Sequence, residues 1–211
     1  MVTEPRIDRI LIPEAEIDRR LEAMAAEIGR DTSSTQVLHC VAVLKGAFVF
    51  MADLGRAIHR AGGPKVEYHF LQARTYGRET KSANEKTRPV VTPNLDLEDL
   101  SGRDVLLLED VLDQGFTLTA LRQRLLTEIG ARSVRICVLL EKQLDAPSPE
   151  VQALRRQLRA DYVGFTIPDL WVVGYGLDAA GQLRNLPFVA VLRPDADPPP
   201  DEHDRARTPR T

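Results

Sequence analysis

The chain has 211 residues, 43% of them apolar and 28% charged, with a formal net charge of −3. That length suits one α/β domain with an appendage, and the charge balance gives no reason to expect nucleic acid or an anionic membrane as the main partner. No apolar run approaches the roughly 20 residues that span a bilayer, and the opening stretch MVTEPRIDRI lacks the apolar segment of a secretory signal.

Residues 14–29 repeat apolar side chains at helical spacing (Ile17, Leu21, Met24, Ala25, Ile28), and Gly29 can end that helix. VLHCVAVL, 37–44, reads as a buried strand that runs into Lys45-Gly46, and 47–61 reads as the helix that follows. Gly62-Gly63-Pro64 marks a turn, and VEYHFLQA, 66–73, is a second strand rich in β-formers. Residues 74–89, RTYGRETKSANEKTRP, are polar throughout and read as a long mobile loop or hairpin. A third strand is expected at 104–110, a helix at 116–129 with Gly130 at its end, a fourth strand at 134–141 and a surface helix at 148–159.

Alternating strands and helices predict a mainly parallel twisted sheet flanked by helices. Its core would cover about 35–160, with a small hood subdomain made from the N-terminal segment and about 161–193. The tail 194–211, proline-rich and charged, reads as disordered. The two cysteines, Cys40 and Cys137, both fall inside apolar strand runs and read as buried, reduced thiols, which points to the cytoplasm.

The stretch VLLLEDVLDQGFTLTAL, 105–121, carries the chemistry. An apolar strand turns abruptly acidic, with Glu109, Asp110 and Asp113 on an expected loop, 109–117, that then starts a helix. Ligands of parallel α/β sheets bind outside the carboxyl ends of strands. Gly115 permits unusual backbone angles, and successive N–H groups at a helix start attract anions. The second half of the loop therefore suits a phosphate. Carboxylates repel phosphate, so Glu109 and Asp110 must serve something else on the same ligand. Sugar hydroxyls and a hydrated cation are the candidates. A phosphorylated pentose combines these features.

The same stretch resembles the phosphoribosyl pyrophosphate (PRPP) motif of type I phosphoribosyltransferases. LKGAFVFMADLGRAI (44–58), RTYG (74–77), LLEK (139–142) and VGFTIPDLWVVGYGLDAAGQLRNLP (163–187) look like segments of hypoxanthine-guanine phosphoribosyltransferases, in the same order. The resemblance covers roughly residues 8–193. It implies the type I phosphoribosyltransferase fold and a Mg²⁺-dependent transfer of phosphoribose from PRPP to a 6-oxopurine. It also implies a homodimer or homotetramer.

By this resemblance Glu109 and Asp110 hold the ribose hydroxyls and help order Mg²⁺, and Asp113 is the general base toward the purine N7 proton. The backbone from Asp113 through Gln114, Gly115 and Phe116 to Thr117, with the Thr117 hydroxyl, holds the 5′-phosphate. Lys45 and Gly46 form the pyrophosphate loop, with a cis peptide expected at Leu44–Lys45. Lys142 donates to the purine O6, Trp171 stacks on the base, and Val172 offers backbone groups to the purine edge. Asp178 binds a second Mg²⁺ or its waters, Arg184 reaches the pyrophosphate, and Thr75 and Tyr76 belong to a lid loop.

Several positions depart from the family pattern. Gln114 replaces the usual threonine after the aspartate, Thr75 replaces a common serine, Leu170 stands where many relatives are polar, and 143–158 is longer than expected. The four histidines, His39, His59, His69 and His203, fall in no matched motif and read as structural or surface groups. A competing reading keeps the fold but makes the chain a PRPP- or nucleotide-sensing regulator without turnover. A dinucleotide-dependent dehydrogenase is excluded, because no G-x-G-x-x-G follows the first strand.

Overall fold

The computed structural model describes residues 4–75, 89–92 and 100–193, with residues 73–75 and 89–92 described through their backbone alone. Tyr76, the side chain of Thr75, most of the polar stretch 74–89 and the tail 194–211 therefore lie outside the described residues.

In chain order the elements are β1 (Ile7–Ile12), α1 (Glu14–Asp31), β2 (Val37–Leu44), α2 (Phe48–Arg60), β3 (Lys65–Thr75), β4 (Pro89–Thr92) and β5 (Asp104–Leu112). They continue with α3 (Phe116–Thr127), β6 (Ser133–Gln143), α4 (Pro149–Gln157), β7 (Tyr162–Pro168), β8 (Val172–Val173) and β9 (Val189–Leu192). Six strands form one sheet in the order β4-β3-β2-β5-β6-β7. All neighbours in it are parallel except β4, which runs antiparallel along the β3 edge.

The unbroken apolar runs of β2 and β5 follow from burial on both faces. Side chains alternate across a strand. Leu106 and Leu108 of β5 join Cys40 and Ala42 in a core under α1 and α2, which contribute Ile17, Leu21, Met24, Phe50 and Leu54. Val105 and Leu107 join Val41, Val43, Ile136 and Val138 in a second core under α3, with Leu118, Leu121 and Leu125. Both cysteines are buried and free, as expected, and burial pushes the Cys40 thiol up to about 12.

Three differences from the expected elements bear on function. β5 continues to Leu112, because Val111 and Leu112 find partners in Leu140 and Glu141 of β6. Glu109 and Asp110 therefore stand on a strand end, not on the loop expected at 109–117. The turn itself is only Asp113 to Gly115, and Gly115 adopts φ +91° as the residue before α3. The core boundary expected near 160 also falls too early: β7 pairs with β6 from Cys137↔Tyr162 to Gln143↔Pro168 and belongs to the main sheet.

The remaining strands form a small antiparallel sheet, β1-β9-β8, joining the N-terminal segment to residues 172–192. Strand β1 carried no clear signal, because half of its residues are exposed and its partner lies far along the chain. Among the described residues, no helix is long and apolar enough to cross a membrane.

Candidate active site

The chain leaves β2 toward α2 and β3 on one side of the sheet. It leaves β5 toward α3 and β6 on the other. The carboxyl ends of β2 and β5 are adjacent, so they open at a topological switch point, where sheets of this kind bind ligands. Lys45 and Gly46 follow the end of β2, and Glu109, Asp110 and the turn Asp113–Gly115 stand at the end of β5.

At the end of β2 the Leu44–Lys45 peptide is cis, Lys45 is exposed and Gly46 is buried. A Cβ on Gly46 would overlap the Asp110 carboxylate, and a Cβ on Gly176 would overlap the Gly46 carbonyl. Backbone, carboxylate and the 174–184 segment are thus stacked so closely that only glycines fit. Gly176 holds φ +101°. Tyr175 anchors the segment to α2, its hydroxyl donating to Asp53 Oδ2 at 2.6 Å.

At the end of β5, Glu109 and Asp110 are consecutive and half-buried. Dense packing raises the Glu109 carboxyl well above its ordinary range, and the Asp110 charge raises it further. Burial also raises Asp110, against the Glu109 proton and the Val111 N–H, which donates to Oδ1 at 2.8 Å. A pair of hard oxygen donors that resist joint ionisation fits a divalent cation, whose charge would offset theirs. Asp113, one turn further on, is 51% exposed along its side chain. Gln114 is exposed, while Gly115, Phe116 and Thr117 are half-buried at the start of α3, where the first N–H groups of a helix lack intrahelical partners.

Lys142, near the end of β6, is brought to this cluster by strand pairing. Its Nζ lies 3.6 Å from Asp113 Oδ2 and 3.1 Å from Asp169 Oδ1, with only 15% of the side chain exposed. Asp169 was not singled out in the sequence, although it sits within the matched segment two residues before Trp171.

Trp171 is 57% exposed. An aromatic ring left so open is not serving a core. Val172 itself is buried, but its backbone faces outward: Leu192 N–H donates to Trp171 O at 3.1 Å, which puts the Val172–Val191 pair in the non-hydrogen-bonded register. Since β8 is the sheet's outer strand, the Val172 N–H and C=O point away from it.

Asp178 and Arg184, read separately from the sequence, are paired with each other, Arg184 Nη2 to Asp178 Oδ1 at 2.6 Å. Asp178 Oδ2 accepts from Gly181 N–H at 2.6 Å, and Arg184 Nη1 donates to Gly176 O at 2.6 Å. This pairing holds both side chains on the 174–184 segment.

Sequence reasoning also missed Arg155. It comes from α4, in the longer segment 143–158, where Ser148 caps the helix by accepting from Val151 N–H at 3.3 Å. Its guanidinium donates to Leu112 O at 3.1 Å, Asp113 O, Glu141 Oε1 at 2.9 Å and Lys142 O at 3.3 Å. One planar fork thus ties the carbonyls behind Asp113 and Lys142 together. An open cleft of about 770 Å³ beneath α4 shares only Lys142 with the expected site residues and lacks the Asp113–Thr117 turn, so it is not the mouth of the switch point.

The fold and site define a phosphoribosyltransferase. The family model for the phosphoribosyl transferase domain matches residues 13–180. The chain is 38% identical over 188 residues to the hypoxanthine-guanine phosphoribosyltransferase of Bacillus subtilis, covering 89% of this chain and 94% of that protein. It is 39% identical over 186 residues to the hypoxanthine phosphoribosyltransferase of Escherichia coli, covering 85% and 92%. The solved structure of Trypanosoma cruzi hypoxanthine phosphoribosyl transferase superposes with a TM-score of 0.76 at 30% identity, covering 99% of this chain and all of the other. The chain belongs to the hypoxanthine-guanine phosphoribosyltransferase family and is an enzyme.

Proposed function

We propose that this enzyme transfers the phosphoribosyl group of PRPP to N9 of hypoxanthine, guanine or both, giving the nucleoside monophosphate and pyrophosphate. The observation that carries the site assignment is the meeting of Asp113 and Lys142, 3.6 Å apart, beside a helix start at the switch point.

Lys142 can only donate, so it favours an oxo group at the purine 6-position over an amino group. Trp171 stacks on the ring, and the outward N–H and C=O of Val172 read its edge. Asp113 accepts the N7 proton as N9 bonds to C1′. The C1′–O bond breaks toward pyrophosphate, through a sugar with oxocarbenium character. Glu109 and Asp110 bind the ribose hydroxyls and stabilise positive charge that is larger in the transition state than in the ground state. The turn Asp113–Thr117 holds the 5′-phosphate. Backbone contacts dominate there, which accommodates Gln114. Lys45, Gly46 and Arg184 take the pyrophosphate.

Glu109, Asp110 and Asp178 would hold Mg²⁺ and its waters, and a bound ion would neutralise charge on the departing pyrophosphate. Thr75 and Tyr76 would close over the site and exclude water. A homodimer or homotetramer in the cytoplasm completes the reading.

An ultraviolet assay with PRPP, Mg²⁺ and each of hypoxanthine, guanine and xanthine tests it. Turnover of hypoxanthine or guanine is expected. No turnover with any base, together with salt-dependent nucleic-acid binding, would instead indicate the regulator.

A further inference from the structure

We propose that His39, Glu67 and His69 form a binding site for one borderline transition-metal dication, Zn²⁺ or Co²⁺ in chemical class, at the end of the sheet away from the active site. His39 lies on β2 directly opposite Glu67 on β3, and His69 lies two residues further along, opposite Val41. The two-residue period of strands puts all three side chains on one face.

The donor atoms already converge. His39 Nδ1 is 3.1 Å from His69 Nε2 and 3.4 Å from Glu67 Oε2, and all three ligand atoms lie within 4.8 Å of one another. Four ligands at about 2.0–2.1 Å around a tetrahedral ion are separated by about 3.3 Å. Two of the three edges are therefore at ligand spacing without any backbone movement.

Without an ion, both contacts fall on a single His39 nitrogen, which can hold only one proton. A cation would satisfy both imidazoles and the carboxylate together. His39 is only 5% exposed, and a ring packed into the sheet in this way stays on the face it shares with Glu67 and His69. Two imidazoles and one carboxylate suit Zn²⁺, Co²⁺ or Ni²⁺ better than Mg²⁺, which prefers oxygen donors alone. Glu67 is exposed, which leaves a coordination position open to solvent.

The position suggests what the ion does. His39 precedes Lys45 by six residues, or about 20 Å of strand. An ion there is too far to touch substrate. Strand β4 pairs with β3 only from Gln72 onward, so among the described residues the Lys65–Leu71 half of β3 has no partner on its outer edge. A metal joining His39 to Glu67 and His69 would clamp that edge strand to β2.

The test uses the untagged full chain in saturating Mg²⁺, which occupies oxygen-donor sites, and titrates Co²⁺. One equivalent should develop the visible ligand-field bands of a four-coordinate ion, Zn²⁺ should displace it, and Zn²⁺ should raise Tm. His69→Ala and Glu67→Gln should each weaken Co²⁺ binding at least about tenfold and abolish the Tm rise, with phosphoribosyl transfer unchanged. His59→Ala, an exposed control, should leave binding as it is. Absence of the bands in the wild-type chain, or equal Co²⁺ affinity in both site variants, would overturn the proposal and leave His39 and His69 a hydrogen-bonded pair. Should His69→Ala fail to fold, Glu67→Gln, altered at an exposed side chain, carries the same readout.

Discussion

The six-stranded sheet and the three-stranded sheet border the same opening but are built in opposite ways. In the large sheet β2 and β5 are buried on both faces, and the proposed site lies at strand ends, where Glu109 and Asp110 belong to β5 and Lys142 to β6. In the small sheet half of β1 is exposed and β8 is only Val172–Val173. It contributes an open aromatic ring, outward backbone groups and an Asp178–Arg184 pair held by turns. On the proposed function this is a division of labour: the large sheet performs the charge chemistry and reads the purine 6-position through Lys142, and the small one stacks on the base and supplies Arg184 to the pyrophosphate.

That division can be broken experimentally. The greatest effect is expected from metal removal, because the Glu109–Asp110 pair would lose its neutralising ion. Excess EDTA should abolish turnover in the spectrophotometric assay, and persistent activity would refute metal assistance. Asp113→Asn should lower kcat by about 10²–10⁴ with little change in base affinity, as loss of a general base does. Near-normal kcat would remove Asp113 from that role.

Arg155 tests whether a residue outside both sheets belongs to the large sheet's machinery. Arg155→Ala frees the carbonyls behind Asp113 and Lys142, and a displacement of about 1 Å there can cost about 10²-fold in kcat/KM. Arg155→Lys should restore only part of the loss, since an ammonium cannot reproduce the planar fork. Full recovery would reduce Arg155 to a simple counter-charge for Glu141.

Trp171→Ala should act on binding alone. A weakening of about 1–3 kcal/mol in base affinity, with kcat retained, is the expected result of lost stacking. A fall in kcat without a change in base KM would assign the small sheet to catalysis.

The smallest effect concerns stability. Glu109 has a folded-state pKa raised by burial, so its favourable contribution is present below the unfolded pKa and is lost as pH rises through the folded value. In metal-free buffer, Glu109→Gln should therefore raise Tm at neutral and alkaline pH and flatten the acid-to-neutral decline. A parallel shift at every pH would show that the carboxylate is not responsible.

Much of this site could be read locally. Strand ends, the acids from Glu109 to Asp113, Gly115 and Lys45-Gly46 lie within short stretches whose residue types have strong preferences, and β2 emerged with the bounds expected for it. Where the reading stopped short, a partner elsewhere in the chain was the cause. β5 extends through Asp110 to Leu112 because β6 offers backbone partners that far. β7 joins the core because β6 leaves an edge for it. Asp169 and Arg155 carry no distinguishing local pattern, since a surface aspartate and a helical arginine look the same wherever they point.

The sequence by itself determined the four helices and the strands β2, β3, β5 and β6, because hydrophobic period and turn chemistry are local properties of a chain. It also determined that acids, a helix start and a lysine would each stand at a strand end. Only the tertiary structure decided that Lys142 meets Asp113, that Gly176 seats against Gly46, and that His39 faces Glu67 and His69 across two strands. Those distances are set by strand order and register, and these depend on how the whole chain buries its apolar surface.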